Sequence, residues 1–450
     1  MSKPTIILAT SNGVGMGHLA RASAVALELK DLANPIIVSM AGGLAEVPEF
    51  LGIRCEYIPG RDRGWMSPNH WDEYLRDRLQ ALIDETGAKV ISFDGVVPYP
   101  GVLALKSSVN PIPLIWMRRG LWRKNLQRFA IGLRASFMDS IIEPGDFAHQ
   151  YDHGPTSQRN DAFTTSPVSL YKKSTALNHE ESRKALGLDL AAPAVLVQLG
   201  TGSDDMNTKM TAALRGLVGW KELQVVVTKQ PHDKNGQSLV PSGLNVKVVR
   251  YFPLAKVMAA FDAAICATGY NAVHEVLPAR VPTVFVSNIR GTDDQEARAQ
   301  WCNDFGYAIR AQQGELEDIT MQVQRLQDAG VRAELSRKCS ELPETDGAQE
   351  IAHLLLKIAQ DNHQSIRHGN ILGVKVLQKA AMVYRYVRPY KNRVKAESST
   401  PIWSSSTDAQ ELRTYIGGDR RFEHLIDGSS QNYRNLREAI AAKAYGRLLS

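Results

Sequence analysis

At 450 residues the chain is longer than one ordinary hydrophobic core supports, so two domains are expected. Hydrophobic residues at 44% and charged residues at 22% fit a globular chain. A net charge of +6 is too small to indicate nucleic acid as a partner, and it leaves anionic substrates or an anionic membrane face open. Cys55, Cys266, Cys302 and Cys339 lie far apart with no CxxC pair, which argues against a zinc cluster or a disulfide framework. Cys266, inside an apolar run, reads as a core thiol. No stretch reaches the ~18 apolar residues of a membrane span, and Ser11-Asn12-Gly13 breaks the first apolar run too early for a signal peptide. The expected location is cytoplasmic, with any membrane association peripheral on the inner face.

In chain order, Thr5 to Thr10 is a buried strand that feeds the Gly13-Val14-Gly15-Met16-Gly17-His18 loop and an Ala/Leu-rich helix from Leu19 to Lys30. Strands are predicted at Pro35 to Met40, Arg54 to Ile58, Lys89 to Phe93 closing on Asp94, Pro113 to Trp116, and Ser140 to Ile142. Helices are predicted over Trp71 to Glu85 and Asn125 to Met138, and Phe163 to Tyr171 reads as a linker. A second series opens at Ala194 to Leu199, followed by Gly200-Thr201-Gly202-Ser203 and a helix from Met206 to Leu217. Its further strands are Leu223 to Thr228, Val246 to Arg250, Ala263 to Cys266 and Thr283 to Ser287. Helices fit Leu254 to Phe261, Asn271 to Leu277, Gln295 to Asp304 and several segments from Leu316 to Ala359.

The expected fold is therefore α/β, with two Rossmann-like doubly wound domains facing a cleft and a mainly helical C-terminal extension. The expected division is 1–165, 166–362 and 363–450. Such sheets bind ligands at the carboxyl ends of their strands, which places the site in the cleft. The first glycine loop is not GxGxxG, and no acidic residue ends the second strand, so a dinucleotide cofactor is disfavoured. The P-loop signature is also missing. Between Arg367 and Lys395 the acidic residues disappear, and Lys375, Lys379, Arg385, Arg388, Lys391 and Arg393 alternate with apolar and tyrosine side chains. That 366–395 segment suits an anionic lipid surface, and equally a helical extension with a solvated basic face.

The chemistry concentrates at Ala267-Thr268-Gly269-Tyr270-Asn271 with Glu275, then Val281-Pro282, then Asp293-Asp294-Gln295. A Gly-led helix start can receive a phosphate on its N–H groups. A carboxylate one or two turns on can reach ribose hydroxyls, and an acid-amide pair can hold sugar hydroxyls. His18, beside a glycine loop, is a candidate general base, because its unperturbed pKa of ~6.5 suits an acceptor hydroxyl near neutral pH. Asp94, at a strand end, is placed to orient it. Ordinary structural roles, a helix cap for His18 and a loop cap for Asp94, fit the same residues.

Gly269, Tyr270, Asn271, Glu275, Val281-Pro282 and Asp294-Gln295 together resemble the donor-site signature of GT-B glycosyltransferases that use nucleotide sugars. The Gly15-Met16-Gly17-His18 loop is similar to the acceptor-side loop of those enzymes. The likeness is closest to the branch that holds the peptidoglycan lipid-linked N-acetylglucosaminyltransferase. The resemblance implies that Glu275 accepts the ribose hydroxyls of a uridine nucleotide, and that Gly269, Tyr270 and Asn271 face the diphosphate. It also implies that Thr201, Gly202 and Ser203 oppose them, that Phe252 holds the uracil ring, and that Asp293 or Asp294 with Gln295 holds the sugar. Gly15 and Gly17 complete the expected donor-binding set. The chain departs from the plant-type pattern in carrying Ala267-Thr268 where those relatives have a phosphate-binding His.

The implied reaction is inverting transfer from a UDP-sugar to an acceptor hydroxyl, plausible on a lipid-linked or cell-envelope acceptor. It uses no cofactor and no metal, since no DxD-like pair precedes a suitable strand. A UDP-N-acetylglucosamine 2-epimerase-like enzyme and a non-catalytic nucleotide-sugar-binding scaffold are the alternatives.

Overall fold

The computed structural model describes residues 3–361 apart from 12–15, 41–50, 62–67, 109, 125–127, 201–204, 229–237, 290 and 313, with backbone alone at 68–70 and 128–130. Gly15, Thr201, Gly202, Ser203 and the expected basic extension and tail at 363–450 lie outside the described residues.

Two parallel sheets form the frame. The first contains β1 (Thr5–Thr10), β2 (Asn34–Ser39), β3 (Arg54–Tyr57), β4 (Val90–Asp94), β5 (Leu114–Met117), β6 (Ser140–Glu143) and β7 (Phe163–Thr164), in the order β3-β2-β1-β4-β5-β6-β7. The second contains β8 (Ala194–Gln198), β9 (Gln224–Val227), β10 (Asn245–Val248), β11 (Ala263–Ala267), β12 (Thr283–Val286) and β13 (Ile309–Ala311), in the order β10-β9-β8-β11-β12-β13. In both sheets the strand order reverses beside the first strand, at β1/β4 and at β8/β11. These are the crevices where doubly wound sheets take ligands.

The inner strands are apolar on both faces because helices cover both. In order, the helices are α1 (Gly17–Leu29), α2 (Pro68–Thr86), α3 (Pro100–Leu103), α4 (Arg128–Ala135), α5 (His179–Leu186), α6 (Met206–Gly216), α7 (Tyr270–Val276), α8 (Gln295–Asp304), α9 (Leu316–Gln324), α10 (Ala329–Cys339) and α11 (Gly347–Gln360). Along β1, Ile7 and Ala9 join the cluster of Trp71, Leu75 and Leu79 from α2. Ile6 and Leu8 point the other way, into the cluster of Val25 and Leu29 from α1. In the second sheet Val195 and Val197 pack with Leu214 of α6 and Val323 of α9. Leu196 and Cys266 pack with Leu186 of α5 and Trp301 of α8. All four cysteines are buried and free.

Two expectations are corrected. Phe163 and Thr164 are not linker but an edge strand, paired in parallel with Ile142 and Glu143. Two residues are too few to show a period-2 pattern. The residues of α11, placed by the expected division in the second domain, pack on the first sheet. Ile351, Leu355 and Ile358 recur at helical spacing and share a cluster with Val25 and Leu29 of α1. The returning chain meets the outgoing one at the Val168–Asp346 bridge. A Cβ on Gly347 would stand 1.9 Å from the Ser166 carbonyl oxygen, so only glycine permits the crossing. Among the described residues no helix is long and apolar enough to cross a membrane.

Candidate active site

At the first crevice, Thr10 of β1 is in register with Asp94 of β4. The next helix is α1, whose second residue is His18. His18 Nδ1 lies 2.7 Å from Asp94 Oδ1. Arg21, one turn along α1, donates from Nε to Asp94 Oδ2 at 2.9 Å and from Nη2 to Oδ1 at 2.8 Å. Arg21 Nη2 also lies 2.9 Å from His18 Nδ1. A neutral imidazole holds a single proton, and the ionised Asp94 is the stronger acceptor. Nδ1–H therefore donates to Asp94, and the lone pair resides on Nε2.

The electrostatics agree with that state. The Asp94 carboxyl is held down at about 2: Arg21 and His18 outweigh the burial that would raise it. Burial pushes His18 below its ordinary value, Asp94 opposes the shift, and Arg21 and Arg119 add to it. The ring is consequently neutral near pH 7, as a general base must be.

Across the cleft, β11 ends at Ala267 and α7 starts behind Gly269. A Cβ added at Gly269 would meet nothing closer than Gln295 Nε2 at 4.0 Å, so the protein itself leaves that space open. Glu275, on α7, is half-buried with no charged partner among the described residues, and burial raises its carboxyl to about 8. Phe252 is half-buried beyond β10, while its neighbour Tyr251 packs against the second-domain core.

Residues 194–354 match the family model described as "Glycosyltransferase family 28 C-terminal domain". A Cutibacterium acnes UDP-N-acetylglucosamine–N-acetylmuramyl-(pentapeptide) pyrophosphoryl-undecaprenol N-acetylglucosamine transferase is 25% identical over 284 residues, covering 60% of this chain and 73% of the relative. The kitacinnamycin glycotransferase superposes with a TM-score of 0.56 at 16% identity, covering 80% of this chain and all of that one. The Acinetobacter baumannii MurG structure superposes with a TM-score of 0.51 at 20% identity, covering 79% and 99% of the two chains.

The chain is a nucleotide-sugar glycosyltransferase of the GT-B fold. The epimerase-like and non-catalytic alternatives give way to that assignment.

Several motif residues of the glycosyltransferase bond to other protein groups: Tyr270 and Asn271 reach the first domain, while Asp293, Asp294 and Gln295 pair within the second. Tyr270 was expected at the diphosphate. Its side chain is buried; the hydroxyl donates to Gly145 O at 2.7 Å and accepts from Val168 N at 2.9 Å. Asp293 was expected at the sugar. It is buried against Arg298 Nη2 at 3.1 Å, and its carboxyl is held at about 2, with Arg119 and Arg298 outweighing burial. Gln295 is turned inward: Oε1 accepts from Asn288 N at 2.9 Å and Nε2 donates to Asp293 Oδ2 at 3.3 Å. Asp294 caps α8, accepting from Ala297 N at 3.1 Å. Asn271 donates to the Gly17 carbonyl at 3.2 Å, tying the donor helix to the residue before His18.

Other residues of the site carry no motif. Asp146, in the loop after β6, receives Arg298 Nε and Nη2 at 3.0 and 2.9 Å. Arg298 Nη1 donates to Thr268 O at 2.8 Å, just before Gly269. His274 donates from Nδ1 to Tyr270 O at 2.7 Å and accepts from Phe147 N at 3.1 Å on Nε2. Buried Lys209 of α6 donates to Ser287 O and Asn288 Oδ1, both at 3.1 Å. Asn288 Nδ2 then reaches Leu199 O at 2.8 Å, where the chain leaves β8. The signal for Arg21 was available: it lies one helical turn after His18, on the same face.

Proposed function

We propose that this glycosyltransferase transfers a sugar from a UDP-sugar to an acceptor hydroxyl with inversion at the anomeric carbon and without a metal. UDP-N-acetylglucosamine is the donor in the names of the curated relatives and is the first choice here. Those names also specify an undecaprenol-linked acceptor, which makes a lipid-linked acceptor the reading to test first.

In this mechanism His18 Nε2 takes the proton of the acceptor hydroxyl. The oxygen attacks the anomeric carbon from the face opposite UDP, and the carbon–oxygen bond to the diphosphate breaks. Asp94 accepts from Nδ1–H throughout and stabilises the imidazolium that forms. Gly269 leaves room for the diphosphate to approach the α7 backbone, and Glu275 accepts from the ribose diol. The observation that carries the reading is the 2.7 Å His18–Asp94 contact at the β1/β4 crevice.

The test is a thermal-shift screen of UDP, TDP and GDP sugars, joined to a transfer or donor-hydrolysis assay on His18→Ala and Asp94→Ala. Stabilisation follows RT ln(1 + [L]/Kd), so the true donor shifts the melt most. A larger shift with TDP or GDP compounds would overturn the donor assignment. Turnover unaffected by both substitutions, with donor binding retained, would overturn the base.

A further inference from the structure

Arg119 stands two residues beyond β5, at the carboxyl end of the first sheet, and 17% of its side chain is exposed. Its Nε is buried without a hydrogen-bond partner. The nearest opposite charge is Asp293 Oδ1, 3.6 Å from Nη2, which is beyond hydrogen-bond distance. That carboxylate is already taken by Arg298 and Gln295. The other buried arginines of the region each hydrogen-bond a carboxylate: Arg21 grips Asp94, Arg118 grips Glu143 and Asp161 although its Nη1 is also without a partner, and Arg298 grips Asp146. Burial weakens the hold of Arg119 on its proton, Asp293 opposes this, and Arg21 and Arg298 repel the charge further.

A guanidinium with a buried donor unmet is costly to the folded protein. Its planar fork matches the two oxygens of a phosphate or carboxylate. The charge is also felt at His18, so the side chain lies where the His18 side of the cleft meets Asp293.

We propose that Arg119 is the ligand of a substrate oxyanion, a phosphate or carboxylate group, carried into the cleft between His18 and Asp293. The proposal rests on the glycosyltransferase reading only in supplying two sources for that group. One is the diphosphate of the donor, and the other is an anion on the acceptor or on the transferred sugar.

The test uses the full chain with Arg119→Gln and Arg119→Lys, titrated calorimetrically with inorganic phosphate alone, with UDP alone, and with phosphate after saturation by UDP. The expected result is phosphate binding by the wild type, tenfold or weaker binding by Arg119→Gln, and an intermediate value for Arg119→Lys. Unliganded Arg119→Gln loses no hydrogen bond and only the 3.6 Å attraction to Asp293, so its melting temperature falls only slightly. Displacement of phosphate by UDP assigns the oxyanion to the donor. Phosphate that still binds beside UDP assigns it to the acceptor or the sugar. Equal phosphate affinity in wild type and Arg119→Gln, including no measurable binding by either, overturns the proposal. So does an unliganded Arg119→Gln that melts several degrees lower, since that marks a structural role. Arg119-dependent phosphate binding in a chain that binds no nucleotide would keep this proposal and sink the donor reading instead.

Discussion

Arg21 grips both oxygens of Asp94 while the same carboxylate holds Nδ1 of His18. One acid thus serves a fixed cation and the candidate base together. The Arg21 guanidinium in turn lies over the ring of Tyr270, 5.2 Å from its centroid, so a second-domain side chain backs the first-domain pair.

This arrangement makes Arg21 a positioning residue with a pH signature. Its charge lowers the His18 pKa, alongside burial and Arg119, and against Asp94. The acid limb of kcat/KM should therefore fall below the ordinary histidine value in the wild type and move upward in Arg21→Gln. Arg21→Lys, keeping the charge, should move it less. His18→Ala should lower kcat about 10²- to 10⁴-fold with donor affinity kept. An acid limb at the same pH in wild type and Arg21→Gln would remove Arg21 from this role.

Gly269 separates ligand space from protein packing. An added Cβ meets only Gln295 Nε2 at 4.0 Å, and the residue is in extended backbone at φ −72. Gly269→Ala should keep the wild-type melting temperature and weaken UDP binding by tenfold or more. A variant that binds UDP normally would show that no phosphate approaches here.

Tyr270→Phe tests whether the motif tyrosine is a bolt or a ligand. Losing the hydroxyl leaves Val168 N–H and the Gly145 carbonyl unpaired, at a cost of about 1–3 kcal/mol. Chemical denaturation should show that loss, and calorimetry should show UDP affinity within a factor of about two. The reverse pattern would restore the diphosphate role.

Glu275, raised to about 8 by burial, should be mostly protonated in the free protein at pH 7. If the ionised form accepts the ribose hydroxyls, UDP affinity rises with pH through about 8, and binding releases a proton. Calorimetry in buffers of different ionisation enthalpy reads that proton directly. Glu275→Gln should abolish the release, and release persisting in the variant would exclude Glu275 as its source.

His274 sets a stability window of its own. Burial lowers it to about 4, with Arg298 and Arg21 adding to the shift and Asp146 opposing it. Between about 4 and the unfolded value of ~6.5 the unfolded chain binds the extra proton, so stability falls as pH falls across that range. The loss by pH 4 is on the order of 3 kcal/mol. His18 contributes in the same direction. Melting curves at pH 7 and 5 should converge in His274→Gln relative to wild type, and an unchanged gap would exonerate His274.

The inner strands of both sheets were legible because they are short runs apolar on two faces, whereas the short edge strands β7 and β13 were not read as strands. Asp94 could be placed at a strand end from Lys89 to Phe93 alone, and the 2.7 Å contact then joined it to His18 across 76 residues. The side-chain roles of the donor stretch were less accessible. A motif fixes which residues stand near α7 and α8, but not whether the side chain of Tyr270, Asp293 or Gln295 finds its partner in the protein or in a ligand. Their partners are set by the fold: Asp146 and Arg298 are 152 residues apart, and no local pattern connects them. α5 was missed despite a readable signal, the Asn178–Glu181 capping box at its start.

The passage of α11 back onto the first sheet bears on synthesis. The face formed by Ile6, Leu8, Val25 and Leu29 lacks Ile351, Leu355 and Ile358 until the chain has been made past residue 360. On the ribosome, the half that emerges first is therefore the half that is finished last. The second sheet, whose strands and covering helices all lie between residues 179 and 339, can close its own core beforehand.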